Sequence, residues 1–169
     1  PNTIALKTVS SNEEMLGSTT YDLQSNACVD NRLIRHADGT ISAAWTMSAQ
    51  FSTSYSDRGT GYNFYDGSTW DSYPNVRLES SRGGWPSILA TGSGKEIAIT
   101  HNTDNGYLLM THRISIGSGS WNEDIVSSID SNGLYRDIIW NRAVIGGANQ
   151  QTIHMVGVIA NTALGGTIY

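Results

Sequence analysis

Aromatic and charged residues of the kind that bind sugars occur together in several segments of this sequence. An aromatic ring packs on the apolar face of a sugar, and carboxylates and guanidinium groups make hydrogen bonds with hydroxyls. A long segment at residues 48–60 contains three such residues, a connection at 81–85 contains two, and residues 135–136 add two more at what the sequence suggests is the equivalent place one repeat later. The candidate ligand-binding residues are therefore Tyr55, Asp57, Arg58, Arg82, Trp85, Tyr135 and Arg136.

Patterns that would predict a metal or a cofactor are missing from the sequence, and no convergent pair of catalytic acids is clear. None of the four histidines has a partner at ligand spacing, and the single cysteine, Cys28, has no second thiol. The Asp-Gly pairs at 38–39 and 66–67 fit hairpin turns better than calcium loops. The glycines around Gly94 and Gly117 precede no helix with the Lys and Ser or Thr of a phosphate loop. We therefore assign no catalytic residue and expect no cofactor.

The composition indicates an all-β protein with little electrostatic attraction for polyanions. The net charge of −5 argues against nucleic acid and against anionic lipid as partners. No apolar run is long enough to span a bilayer. Eighteen glycines, five tryptophans and eight tyrosines suit many short strands joined by tight turns.

An internal repeat of about fifty residues organises these strands. Three alternating segments centre on Ile41, Ile97 and Ile153, which are spaced 56 and 56 residues apart. Each segment is preceded by a turn, and that turn is preceded by another short apolar stretch. The two apolar stretches joined by the turn predict a hairpin. Two of the three are followed by another hairpin that ends at Trp70 or Trp121, and then by an extended stretch at 75–79 or 124–128. Each complete unit is thus a four-stranded antiparallel meander, which is typical of one blade of a β-propeller.

The repeat divides one propeller domain into four parts. Residues 31–80 and 81–130 are each predicted to form a blade, and residues 131–169 an incomplete blade. Residues 1–30 are the expected end of a preceding blade, with an outer strand at 19–23. Closed propellers have about four to eight blades, so about three form part of a larger ring. We expect other blades from a longer protein or from other chains to complete it.

Two sets of motifs resemble known proteins. The turn at residues 65–70, Tyr-Asp-Gly-Ser-Thr-Trp, resembles the Asp-box (BNR repeat) of sialidase-like propellers, with Phe64 where that family has Ser or Thr. The stretches at 20–26, 56–70, 77–80 and 84–87 are similar to large exported proteins of Bacteroidota, and the similarity extends over residues 18–169. Those proteins are cargo of the type IX secretion system. The resemblance implies an extracellular or cell-surface location, with the outer-membrane secretion machinery as a partner.

Three functions fit such a scaffold. The first is a non-enzymatic surface module that binds glycans or proteins, for adhesion, capture or surface assembly. The second is a glycoside hydrolase of sialidase type, which the resemblance would build from three arginines and a tyrosine activated by a glutamate. Its candidates are Arg32, Arg82 and Arg136, with Tyr55 or Tyr62 as nucleophile and Glu79 as base. The third is a structural spacer. We place binding first because the sequence shows no clear convergent pair of acids.

Overall fold

The computed structural model describes residues 13–25, 30–102, 104–126 and 129–159. These ranges contain β-strands and no helix, and every pair of neighbouring strands is antiparallel. The all-β prediction is therefore confirmed. The strands are β1 (Leu33–Arg35), β2 (Ile41–Met47), β3 (Gly59–Tyr65), β4 (Gly83–Ala90), β5 (Glu96–Asn102), β6 (Leu108–Arg113), β7 (Asn122–Val126), β8 (Ile138–Gly146) and β9 (Thr152–Ile159).

The strands form three separate sheets, each a meander in chain order. The first sheet is β1-β2-β3, the second is β4-β5-β6-β7, and the third is β8-β9. The three alternating segments of the sequence form β2, β5 and β9, each paired with the strand before it, as the hairpin pattern predicts.

The first sheet has three strands where the sequence predicts four. Residues 75–79 are irregular, and one backbone hydrogen bond ties them to β3, from Leu78 N to Thr60 O at 3.0 Å. Thr60 N donates to the Glu79 carboxylate at 2.8 Å, so a side chain takes the place of a strand carbonyl. Pro74, which has no N–H, lies just upstream. The prediction of a fourth strand here is wrong.

The segment before β1 also pairs through side chains. The predicted outer strand at 19–23 is not a strand, although Thr20 N donates to Ser48 O at 2.8 Å. The amide of Gln24 accepts a hydrogen bond from Thr46 N at 3.0 Å and donates to Thr46 O at 2.8 Å. The side-chain amide of Gln24 thus makes the two hydrogen bonds with Thr46 that the backbone of a neighbouring strand would otherwise make. Cys28 lies outside the described residues.

The hairpins β1-β2, β4-β5 and β8-β9 have loops of the same form. Each loop has five residues, and its fourth residue donates its N–H to the carbonyl of the first. A positive φ is needed at that fourth position, which usually requires glycine. The fourth residues are Gly39, Gly94 and Gln150, with φ of 91°, 83° and 53°.

These loops fix the alignment of the repeat. Counted from them, Ile41 corresponds to Glu96 and to Thr152. The alignment of Ile41 with Ile97 that the sequence suggests is therefore wrong by one residue. Alternation alone does not fix register, because it specifies which face a side chain takes but not which residue it opposes.

Trp85 and Trp140 occupy matching β-bulges 55 residues apart, where the register of β4-β5 and of β8-β9 shifts. Both have a left-handed backbone, with φ of 52° and 49°. Such a conformation is an outlier for a bulky residue and is held by contacts. Trp85 N donates to Thr46 Oγ1 at 2.9 Å, and Trp140 N donates to His101 Nδ1 at 3.1 Å. Each sheet is therefore attached to the preceding one at the same place.

The apolar core lies between the second and third sheets. Every residue of β5 is buried, because β5 packs against strands of both neighbouring sheets. The contact between the first and second sheets includes buried charge. The Glu96 carboxylate, which is paired with Arg113 at 2.6 Å within the second sheet, accepts a hydrogen bond from Tyr62 Oη of β3 at 3.0 Å. The buried members of the apolar cluster are Leu89, Ile97, Ile99, Leu108 and Ala143.

Trp70 and Trp121 occupy equivalent positions at the ends of the outer hairpins. Trp70 bridges to Tyr65, the last residue of β3, and Trp121 lies 4.4 Å under the guanidinium of Arg113, the last residue of β6. Both indoles are half-buried rather than fully buried wedges.

Candidate functional site

A cleft of about 590 Å³ opens where the three sheets meet. Its lining comes from the loop before β3, the start of β4, the end of β5 with the loop after it, and the start of β8. The two Trp bulges bring these segments together. The lining residues are Arg58, Arg82, Trp85, His101, Asn102, Asp104, Asn105, Gly106, Asp137, Ile139 and Trp140.

Trp85 forms part of the buried floor of the cleft. Its side chain is 5% exposed and stacks on His101, with ring centroids 4.8 Å apart and an angle of 11° between the planes. The guanidinium carbon of Arg58 lies 4.6 Å from the Trp85 ring centre. Because both contacts cover the indole, Trp85 supports the cleft and does not offer a free ring to a ligand.

Arg58 holds the loop before β3 against the start of β4. Its Nε donates to Gly83 O at 2.9 Å, and its Nη1 donates to Tyr21 Oη at 3.2 Å. Burial lowers the pKa of Arg58, and the nearby Arg82 lowers it further. A guanidinium remains charged despite this, so the floor carries a buried cation.

His101 is a neutral floor residue. Its Nδ1 accepts the Trp140 N–H, so the ring proton is on Nε2. Burial lowers the pKa of His101 to about 3, and the charges of Arg58, Arg142 and Arg82 lower it in the same direction. The imidazole is therefore uncharged at neutral pH.

The rim is polar and accessible. Asp104, Asn105 and Asp137 are exposed, and the Trp140 indole is half-buried beside them. Arg82 crosses the rim, donating from Nε to Tyr55 O at 3.0 Å and from Nη1 to Asp104 Oδ1 at 3.2 Å. An aromatic surface edged by carboxylate and amide oxygens suits a ligand that has both an apolar face and hydroxyl groups.

Three of the seven predicted site residues, Arg58, Arg82 and Trp85, line the cleft. Tyr55 and Tyr135 flank it: the first accepts from Arg82 through its carbonyl, and the second donates from Oη to Asn105 O at 2.6 Å.

Asp57 and Arg136 are outside the cleft lining and brace their own loops. Asp57 accepts from Ser48 Oγ and from Ala49 N at 2.7 Å. Burial acts to raise the pKa of Asp57, but these hydrogen bonds outweigh it and lower that pKa. Arg136 donates to Asp130 Oδ2 from two nitrogens, at 2.9 and 2.8 Å.

Eight of the eleven lining residues were missed by sequence reasoning, among them Trp140, His101, Asp104 and Asp137. A signal for Trp140 existed, because it lies 55 residues after Trp85. The sequence-based match placed Tyr135 and Arg136 at that equivalent position, five residues too early. The others sit in loops and strand ends that carry no distinguishing pattern.

The sialidase-type arrangement is not assembled among the described residues. Arg32, Arg82 and Arg136 each pair with a different carboxylate, Asp30, Asp104 and Asp130 respectively, and of the three only Arg82 lines the cleft.

The tyrosine and glutamate of that arrangement are also apart. Tyr62 Oη donates to Glu96 at 3.0 Å rather than to Glu79, and Glu79 is buried against Thr60 and Thr100. Burial and the charge of Glu96 raise the pKa of Tyr62, which opposes a role as nucleophile.

The part of the chain that the structure describes contains no group of three His, Cys, Asp or Glu side chains that could hold a metal ion. Within the same part there is no helix long and apolar enough to cross a membrane. Comparison of the chain with models of protein families, with curated proteins and with solved structures found no match.

Proposed function

We propose that this chain is part of an exported β-propeller whose cleft binds a glycan without cleaving it. The observation that carries the proposal is the half-buried Trp140 indole beside the exposed oxygens of Asp104, Asn105 and Asp137. Sugar recognition needs this combination of an aromatic surface and planar polar groups.

The propeller arrangement is supported by the repeated attachment of the sheets. Equivalent loops and equivalent Trp bulges relate successive sheets, so the third sheet packs on the second in the same way as the second packs on the first. Further sheets packed in this way at either end would cover exposed apolar residues of the first and third sheets. Examples are Leu33, Val144 and Val156, which are 56%, 57% and 51% exposed. We propose that further blades, from a longer protein or from other chains, occupy those faces.

The extracellular or cell-surface location rests on the resemblance to exported proteins of Bacteroidota. The segments that carry it include the loop with Arg58 and the strand with Trp85. A route through the type IX machinery is part of the same proposal. A surface location would place the cleft in contact with glycans.

Binding is favoured over hydrolysis because Tyr62, a candidate nucleophile, donates to Glu96 and not to the candidate base Glu79, and neither Tyr62 nor Glu79 lines the cleft. It is favoured over a purely structural role because a spacer needs no open polar cleft of about 590 Å³.

The test is binding of the full 169-residue chain to a glycan array, followed by calorimetry with the best ligands. We expect dissociation constants in the micromolar to millimolar range and no new reducing ends after prolonged incubation. Release of reducing ends would support the hydrolase instead. If the chain binds no glycan but binds a surface protein, the ligand is a protein and not a glycan.

A further inference from the structure

Resting on the proposed function, we infer that the cleft selects neutral short oligosaccharides and excludes acidic ones, with Trp140 as the surface on which one ring stacks. Two features of the cleft support this selectivity. They are the division of charge between the floor and the rim, and the hydrogen bonds that hold the backbone of Trp140.

The positive charges of the cleft are directed at protein groups. Arg58 is 5% exposed and donates to Gly83 O and Tyr21 Oη. Arg82 is half-buried and donates to Tyr55 O and Asp104. A bidentate clamp on a ligand carboxylate needs guanidinium edges that face the ligand, and these are engaged in the protein.

The negative charges lie where a ligand arrives. The side chain of Asp104 is 53% exposed against 25% for its partner Arg82, and Asp137 is also exposed. His101 adds no positive charge, because it is buried beside three arginines and neutral. The rim therefore has two carboxylates, Asp104 and Asp137, against the one guanidinium of Arg82, so a uronic or sialic acid meets net negative charge there, whereas neutral hydroxyls donate to the same carboxylates.

Trp140 is fixed before any ligand binds. Its N–H donates to His101 Nδ1 at 3.1 Å, and its carbonyl accepts from Arg142 Nη1 at 2.9 Å. The backbone of the bulge is thus held from both sides while the indole remains half-buried. Because this backbone is already ordered, little backbone entropy is lost when a sugar stacks on the indole that it carries.

Size restricts the ligand as well. A volume of about 590 Å³ falls within the range of small-molecule sites, roughly 300–1,000 Å³. It suits a short oligosaccharide or the end of a longer chain.

The experiment measures calorimetric binding of the full chain to two probe sets. The neutral set is cellotriose, maltotriose, xylotriose, mannotriose and lactose, and the acidic set is trigalacturonate and 3′-sialyllactose. We expect the best neutral probe to bind at least tenfold more tightly than the best acidic one. Asp137→Asn removes one carboxylate of the rim and should reduce the ratio between the affinities of the best neutral and the best acidic probe.

Two tryptophan variants test the stacking surface. Trp140→Ala should weaken binding of the best neutral probe about tenfold, the order expected for loss of an aromatic contact, and Trp140→Phe should restore part of it. Trp70→Ala removes another half-buried indole, which bridges to Tyr65 and does not line the cleft, and should leave binding unchanged. Melting temperatures of the variants check that each one folds.

The outcomes separate the two proposals. If an acidic probe binds as tightly as the best neutral one, or Trp140→Ala binds normally, the inference is wrong while glycan binding survives. If no glycan of either set binds at 10 mM and the array is also blank, glycan binding itself fails, and the inference fails with it.

Discussion

Asp30 Oδ1 lies 2.6 Å from Arg142 Nη1, and this ion pair joins the segment before β1 to β8, two sheets further along the chain. The Asp30 side chain is fully buried and is also paired with Arg32 at 2.8 Å. From the residues that the structure describes, Asp30 Oδ1 accepts no well-aligned hydrogen bond, so its contact with Arg142 is mainly ionic. One carboxylate therefore ties the first sheet to the third.

Removal of Arg142 should destabilise the fold. Arg142→Met leaves a buried carboxylate with a single partner, and we expect the free energy of unfolding to fall by about 2–4 kcal/mol. Urea denaturation measures the change. Arg142 also donates to the carbonyls of Trp140 and Asn141, so a double-mutant cycle with Asp30→Asn is needed to isolate the ion pair.

The exposed Arg35→Ala is the matched control and should change stability by less than about 0.5 kcal/mol. A coupling energy near zero in the cycle would show that Asp30 and Arg142 do not stabilise each other.

Arg58 should behave as a structural residue. Arg58→Ala leaves Gly83 O and Tyr21 Oη without their donor and exposes the Trp85 ring, so we expect a loss of about 2–4 kcal/mol in the free energy of unfolding. Arg58→Lys keeps the charge but not the fork of donors and should recover only part of the loss.

Thermal and urea denaturation measure both Arg58 variants. A melting temperature for Arg58→Ala equal to that of the unmodified protein, with altered glycan binding, would instead make Arg58 a ligand-contacting residue.

Much of the strand order was predictable from the sequence, and the exceptions have side-chain causes. The apolar segments of β2, β5 and β9 are recognisable because burial is complete along β5, nearly complete along β2 and alternating along most of β9. The fourth strand of the first sheet could not be excluded from the sequence. There the Glu79 carboxylate takes the hydrogen bond of Thr60 N, and such a substitution leaves no periodic signal.

The site was only partly predictable for a related reason. Its charged loop residues are visible as residue types, which identified Arg58 and Arg82. Their burial and partners depend on how the sheets pack, and this placed Trp85 in the floor and Trp140 at the surface. A repeat aligned on turns rather than on isoleucines would have matched these two tryptophans.

The matching hairpin loops predict opposite effects of two substitutions. Gly94 has φ of 83° with no atom within 4 Å of an added Cβ, so Gly94→Ala should cost about 1 kcal/mol from backbone strain alone. Gln150 occupies the same position with φ of 53°, and Gln150→Gly should stabilise by about 0.5–1 kcal/mol.

Urea denaturation measures the change in the free energy of unfolding for both variants. The dependence of this free energy on urea concentration should stay the same. Gln150→Ala serves as control, since it alters the side chain without relieving the backbone and should be nearly neutral. Destabilisation by Gln150→Gly would mean that the third loop is held by its side chain and not by its backbone form.

His101 should make stability depend on pH. The unfolded chain binds a proton on this histidine near pH 6.5, and the folded protein binds it only near pH 3. The neutral form of His101 therefore contributes fully to the free energy of unfolding above pH 6.5. This contribution is lost as the pH falls toward 3, at about 1.4 kcal/mol per pH unit. His101→Gln keeps an acceptor for Trp140 N but does not titrate, so its free energy of unfolding should fall less steeply over this range.

The comparison is made by urea denaturation at half-unit steps from pH 7.5 to 4. Carboxylates also titrate in this window, and the difference between the unmodified protein and His101→Gln removes their shared contribution. The exposed His154→Gln is the control and should follow the unmodified curve. Parallel curves for the unmodified protein and His101→Gln would show that folding does not change the pKa of His101, and the stacked Trp85–His101 floor would then become positively charged as the pH falls below about 6.5.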